Sequence, residues 1–450
     1  MIRSGSKMKI AVVGSGISGL SAAWLLSKQH DVTLYEKDDR PGGHSNTVDA
    51  NGTPVDTGFI VYNTASYPNL CALFEHLNVP TVATDMSFAA SLDHGRVEYG
   101  GSDLASLCAQ KRNLLRPAFW AMIRDIMRFY REAPQVLQNA EAGAQSLGDY
   151  LCANRYSKAF INDHLLPMGA AIWSTPVDMM LAYPVAAFVR FCDNHGLLQI
   201  KDRPQWRTVA GGSREYVTRM MAGIGTVVLD RAVAEVGPTP TGAFVQDRYG
   251  QREEYDHVIL ACHADQALAV QAEPDAAVAR LLGAFRYERN LAILHNDPAL
   301  MPKNPKVWSS WNYLRQTVGA EEKVCVSYWM NRLQHIDDNQ PLFVTLNPPV
   351  APRDGSVIRS FLYDHPVFDN GAMAAQRMLW NIQGTQNIWY CGSYFGYGFH
   401  EDGIQSGLAV AEAVGAVRRP WDVENESGRI HVSPLSSHPS SRPRDDSEAA

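Results

Sequence analysis

Lys9-Ile10-Ala11-Val12-Val13-Gly14-Ser15-Gly16-Ile17-Ser18-Gly19-Leu20 is the stretch on which the fold of this chain turns. An apolar run of strand character meets glycines at positions 14, 16 and 19, and a helical pattern follows. Asp31-Val32-Thr33-Leu34-Tyr35-Glu36 then reads as a second strand that ends in an acid. This is the dinucleotide fingerprint of a βαβ unit. Gly14 permits the tight turn, Gly16 lets backbone approach a pyrophosphate, and Gly19 lets helix and strand pack closely. The helix start offers unpaired N–H groups to phosphate. Glu36 is placed to accept hydrogen bonds from ribose hydroxyls, and an acid there disfavours a 2′-phosphate.

Working outward, 450 residues suffice for two domains or one elaborate one. A hydrophobic share of 46% and a charged share of 19% describe a globular chain with a sizeable core. The formal net charge of −7 argues against a general nucleic-acid binder. The seven cysteines show no CxxC pair and no metal-ligand spacing, so no metal site is expected. Their pattern suits a reducing cytoplasm. The chain enters its first strand almost at once, so no leader is expected. No apolar run has the length of a membrane span.

Residues 8–90 read as the βαβ start with extended loops. From Leu104 to Gln138 the pattern is helical. Within it, Leu115, Phe119, Met122, Ile123, Ile126 and Tyr130 share one face, and Arg112, Arg116, Arg124, Arg128 and Arg131 an adjoining one. Such a segment, 111–131, either packs its apolar stripe inward beneath a solvated basic face or lies on an anionic membrane surface. Pro167 to Pro176 and the apolar Met179 to Phe191 read as a wall of a second domain or as ordinary core. From Trp206 the chain returns to the nucleotide domain, with a helix beginning near Gly211-Gly212-Ser213, strands at Thr226–Leu229 and Phe244–Gln246, and a buried strand Asp256–Leu260 running into Ala261-Cys262-His263. Residues 290–380 alternate short apolar strands with Pro and Asn turns. After Trp421 the composition is that of a disordered tail.

Two further motifs narrow the dinucleotide. Arg40-Pro41-Gly42-Gly43-His44-Ser45-Asn46-Thr47 and Val55-Asp56-Thr57-Gly58-Phe59 follow Glu36. Near the other end, Ile388-Trp389-Tyr390-Cys391-Gly392-Ser393 leads through glycines into His400-Glu401-Asp402-Gly403-Ile404. Together with the opening fingerprint they resemble the FAD-binding amine-oxidase/phytoene-desaturase superfamily. Within it the chain resembles a subfamily of flavin-containing oxidoreductases similar to the N-terminal flavoprotein domain of plant cyclopropane fatty acid synthases. Tyr62-Asn63, Tyr67-Pro68-Asn69-Leu70, Ala170-Ala171-Ile172-Trp173, Met301-Pro302-Lys303-Asn304-Pro305 and Ser327-Tyr328-Trp329-Met330-Asn331 carry that likeness.

The resemblance implies an α/β, Rossmann-type two-dinucleotide-binding-domain flavoprotein with an interleaved α+β substrate domain. The FAD-binding domain is expected from 8–90, 206–290 and 381–417, the substrate domain from 91–205 and 291–380, and the tail from 421–450. Non-covalent FAD is the implied cofactor. The implied contacts are Gly14, Gly16, Ser18, Gly19, Glu36, Lys37, Arg40, Gly42, Gly43, His44, Thr47, Gly58, Ala261, Gly392, Ser393, Glu401, Asp402 and Ile404.

Departures from the superfamily pattern bear on the substrate. Ser393 and Tyr394 stand where an acid usually follows the glycine, so a ribityl contact is expected to move to Glu401 or Asp402. His400 falls in the neighbourhood of a tyrosine that cages amines, which argues against a cationic amine. His400 is the first candidate for a base, with Tyr397 and Tyr394 as proton relays or ring contacts. His263 is expected to be structural. Relatives accompany lipid-methylating enzymes, and some oxidise acyl chains. The implied activity is therefore hydride removal from an unsaturated or branched acyl chain, by desaturation or isomerisation. Amine oxidation, and a non-catalytic partnership with a lipid methyltransferase, are the alternatives. The implied location is cytoplasmic, with peripheral contact at the inner membrane face.

Overall fold

The computed structural model describes residues 7–138, 145–173, 180–194, 196–199, 204–318 and 321–433. Its first layer is a five-stranded parallel sheet. The opening residues build its middle: β1 (Lys9–Val13), α1 (Ile17–Leu26) and β2 (Asp31–Tyr35). Thr226–Val228 extends the sheet beyond β2, while His257–Leu260 and Ile388–Tyr390 extend it on the other side of β1. Sequence-distant strands thus bring Ala261 and Gly392 to the same sheet end as Gly14.

Every residue of α1 is buried, as expected of a helix covered on all sides. One side lies on the sheet and the other on the final helix, His400–Gly415. The two helices cross so closely that a Cβ on Gly407 would lie 2.2 Å from the Ser18 carbonyl oxygen. This crossing absorbs Ser18 and Ile404, both buried.

The second layer is a seven-stranded sheet from Phe88–Leu92, Val97–Gly100, Arg286–His295, Trp311–Val318, Glu321–Trp329, Phe343–Leu346 and Val357–Val367. The boundaries expected after residues 90 and 290 fall inside its strands Phe88–Leu92 and Arg286–His295. Strand alternation carries no mark of which sheet a strand joins, so sequence periodicity could not place those edges.

The helical region after Leu104 is broken. A 3₁₀ turn, Lys111–Leu115, precedes the helix Pro117–Glu132, because proline has no N–H to continue the turn before it. Phe119, Met122 and Phe129 point inward and are buried, whereas Leu115, predicted on the same face, lies outside the helix and is 86% exposed.

The tail expected from Trp421 does not begin there. Trp421 stacks on Trp24 with centroids 5.9 Å apart, and Ile430 is buried. A few anchors in a polar stretch are enough to pin it, and composition averages them away. Residues 174–179 of the predicted wall, and 434–450, lie outside the described residues.

Candidate functional site

The opening glycine loop is built as its spacing demands. Gly14 has φ +104°, and a Cβ there would meet the Ala261 carbonyl at 2.9 Å. Ala261 is therefore the floor under the turn. The N-terminus of α1 has no side-chain cap, which leaves its first N–H groups for a ligand. The second glycine loop folds over the first. The Gly42 N–H donates to the Ser15 carbonyl at 3.0 Å, and Gly43, at φ +57°, brings its would-be Cβ within 3.1 Å of the Gly16 Cα. Nothing lies within 4 Å of a Cβ position on Gly16 itself, so the open space is where a pyrophosphate would approach.

Glu36 directly follows β2 and turns back to this loop, accepting from the Ser15 N–H at 2.9 Å and from the Ser15 hydroxyl. Lys37 and Arg40 line an open cleft of about 640 Å³ with Asp38, Asp39, Asp230, Phe361, Leu362 and Tyr363. Arg40 donates one Nη to the Gly43 carbonyl at 2.9 Å. Its other Nη, His44 Nε2, His263 Nδ1 and the Tyr394 hydroxyl are buried with no hydrogen-bond partner. Buried polar atoms are rarely orphaned in native proteins. Such a set around two glycine loops is what a polar, phosphate-bearing cofactor would satisfy, and FAD fits it.

Beyond the loops lies a group of imidazoles. The His44 ring is 6.3 Å from His263, 5.6 Å from His365 and 4.9 Å from Tyr363. His263 stacks on Tyr287 at 4.4 Å. The Tyr363 hydroxyl meets Asn46 at 2.9 Å and Thr57 at 2.8 Å, and His365 Nδ1 meets Asn290 Nδ2 at 2.9 Å. Burial, reinforced by the neighbouring histidines, pushes His44 well below the usual imidazole range. Burial also lowers His365 to about 4 and depresses His263. Tyr287, Tyr363 and His365 gave no sequence signal. Alternation puts Tyr363 and His365 on one strand face, but only sheet packing turns that face to His44.

The final motif carries the largest correction. Glu401 does not face the cofactor space. Its carboxylate accepts from the Asn69 and Leu70 N–H groups, both at 3.1 Å, and from Asn69 Nδ2 and Gln405 at 2.9 Å. It caps α2 (Pro68–His76). Asp402 is taken by Arg429, at 2.7 and 3.1 Å, and by the Phe399 N–H at 2.8 Å. Both carboxylates are thus held by donors from the protein itself. Gly392 stays at the sheet end, its N–H on Ser406 Oγ at 3.0 Å, with Ser393 partly exposed beside it.

Thr47 and Gly58 act from behind the loop. Thr47 Oγ1 donates to Asp56 at 2.6 Å, and a Cβ on Gly58 would lie 2.1 Å from the His44 carbonyl oxygen. Asp56 also holds the Ser213 N–H and hydroxyl. Burial raises its carboxyl to about 6 against those hydrogen bonds.

The three predicted catalytic residues are not brought together. His400 stacks on Phe59 at 3.8 Å, and its Nε2 meets Ser45 Oγ at 2.9 Å and the Tyr216 hydroxyl at 3.2 Å. Burial lowers it to about 3, so it is a weak base at neutral pH. Tyr394 is buried beside Phe285 and Phe395, and burial raises its phenol well above the usual range. Tyr397 lies towards Arg429, whose guanidinium is 5.9 Å from its ring. Among the described residues, no cluster of His, Cys, Asp and Glu could hold a metal ion, and no helix is long and apolar enough to cross a membrane.

Comparison with known proteins is consistent with this geometry. The profile of flavin-containing amine oxidoreductases matches residues 17–293. A protein of Mycobacterium tuberculosis (strain H37Rv) described as the flavin-containing monoamine oxidase AofH is 26% identical over 282 residues, 59% of this chain and 59% of its own length. The chain therefore spans under two thirds of that relative. The structure of wild-type putrescine oxidase bound to putrescine aligns with a TM-score of 0.66 at 18% identity, covering 91% of this chain and 99% of that one. A CLA-producing fatty acid isomerase from P. acnes aligns with a TM-score of 0.64 at 13% identity, over 91% and 98% of the chains. At such identities the solved structures share the fold.

Proposed function

We propose that this chain, which belongs to the flavin-containing amine oxidoreductase family, is an FAD-dependent oxidoreductase that removes a hydride from an unsaturated acyl chain and rearranges its double bonds. The observation that carries this reading is the neutral wall of the site. His44, His263 and His365 are packed together. His400 is stacked on Phe59 with only hydroxyls on its Nε2. A cationic amine calls for a free carboxylate or an open aromatic face. The buried acids of the final helix, Glu401 and Asp402, are both committed elsewhere.

When bound, FAD supplies a two-electron acceptor for hydride. The two glycine loops would hold its pyrophosphate, and Glu36 its ribose. Phe59 and His400 would present an apolar, uncharged surface to a hydrocarbon. With His365 near 4 and His400 near 3, these imidazoles are poor proton acceptors. That favours returning the hydride to another carbon over losing a proton, and so isomerisation over net desaturation. A second reading, amine oxidation, draws on the likeness to AofH.

Incubating the purified flavoprotein with methylene-interrupted dienoic acyl chains separates the two. Rearrangement produces the ultraviolet absorbance of a conjugated diene without consuming an oxidant. Unchanged acyl chains, together with peroxide released from primary amines, would establish amine oxidation instead.

A further inference from the structure

We propose that the outer face of the Pro117–Glu132 helix, with the turn that precedes it, docks on an anionic lipid surface. The inward stripe of this helix is already satisfied, with Phe119, Met122 and Phe129 buried. Yet Trp120 and Met127 are each 52% exposed and Leu115 is 86% exposed. Trp120, Arg124, Met127 and Arg131 follow one another at helical spacing, so apolar and basic side chains alternate along one outer stripe. The Trp120 indole N–H is spent on the Leu114 carbonyl at 2.9 Å. This ties the ring to the turn that carries Leu115.

Charge picks the occupant. Segment 111–131 holds Lys111, Arg112, Arg116, Arg124, Arg128 and Arg131 against Asp125 alone, in a chain whose formal net charge is −7. Asp125 presents no charge outward. Its side chain is fully buried and takes the Ser157 N–H at 2.8 Å. Arg128 is turned inward over the Tyr156 ring at 3.9 Å. Arg124 and Arg131 keep side chains 68% and 74% exposed while pairing with Asp125 at 3.1 Å and with Glu132 at 3.0 Å. Cations interleaved with Trp, Leu and Met suit the boundary of a negatively charged bilayer, where apolar groups enter and guanidinium groups meet phosphates. This docking stands apart from the acyl reading, because adsorption is measured without turnover.

The full-length flavoprotein is co-sedimented with phosphatidylcholine vesicles, with and without phosphatidylglycerol. Binding is expected only with phosphatidylglycerol, and raised salt should reverse it. The double variant Arg124→Glu/Arg131→Glu and the double variant Leu115→Ser/Trp120→Ser should each weaken it by at least ~10-fold. Unchanged flavin absorbance and melting temperature verify that these variants fold. The proposal is overturned by no binding to anionic vesicles, by equal binding to neutral ones, or by folded variants that bind like the parent. Self-association, or capture of an acidic protein through this face without lipid binding, overturns it equally.

Discussion

Replacing Arg429 with methionine tests whether Asp402 is a strut or a cofactor ligand. Asp402 is fully buried, and its partner is 11% exposed. The guanidinium engages both carboxylate oxygens, beside the Phe399 N–H. Removing it strands a buried charge, which costs about 3–5 kcal/mol. At ~2.1 cal/mol/K per residue, a chain of this size changes by roughly 0.9 kcal/mol per degree, so Tm should fall by about 3–5 °C. The double variant Arg429→Met/Asp402→Asn should recover most of that loss, since no charge is left unpaired. The pH dependence has a definite sign. Burial already raises the Asp402 carboxyl, and Arg429 opposes it. Without Arg429 the folded value rises further above the unfolded one. A raised carboxyl stabilises at low pH and loses that contribution as pH climbs through the folded value. The deficit of Arg429→Met against the parent should therefore shrink as pH falls from 7 towards 5. Differential scanning fluorimetry of the holoprotein across that range reads it. A variant that melts like the parent but sheds its flavin would refute the strut and restore Asp402 as a cofactor contact.

Three other outcomes are expected. Gly43→Ala forces a side chain into left-handed backbone against the Gly16 Cα, a strain of about 1–2 kcal/mol; titrating apoprotein with FAD should show affinity reduced by about tenfold. Asp56→Asn should flatten the pH dependence of stability. Burial lifts the native carboxyl from its ordinary 3.8 to about 6, so the parent loses about 3 kcal/mol as pH rises through that window; denaturant melts in which the variant keeps the parent's slope would count against a buried, raised Asp56. His400→Phe retains the ring against Phe59 and removes the hydrogen bonds to Ser45 and Tyr216. Turnover should fall by less than about tenfold with the pH profile unmoved, whereas a general base would cost about 10²–10⁴.

Legibility followed the distance over which a residue acts. Gly14, Gly16, Gly19, Gly42 and Gly43 were readable because backbone geometry and close approach depend on the residue and its immediate neighbours. Their loops meet at Gly16. The strand and helix around Gly392 were readable for the same reason. The roles of Glu401 and Asp402 were not. Two acids opening a helix look alike in sequence, and their partners, Asn69 and Arg429, come from elsewhere in the chain. The start of the tail is hidden on the same ground, because Arg429 and Ile430 are held only by what they meet.

Local chemistry was enough to specify the dinucleotide cradle: a turn that needs a positive φ, a helix start without a cap and an acid closing a strand are short-range demands. Burial and long-range pairing are properties of the folded chain, and these decided the rest. Tertiary packing turned Tyr363 and His365 towards His44 and put Phe59 over His400. It thereby made the candidate base a neutral wall, because desolvation depends on everything that surrounds a ring.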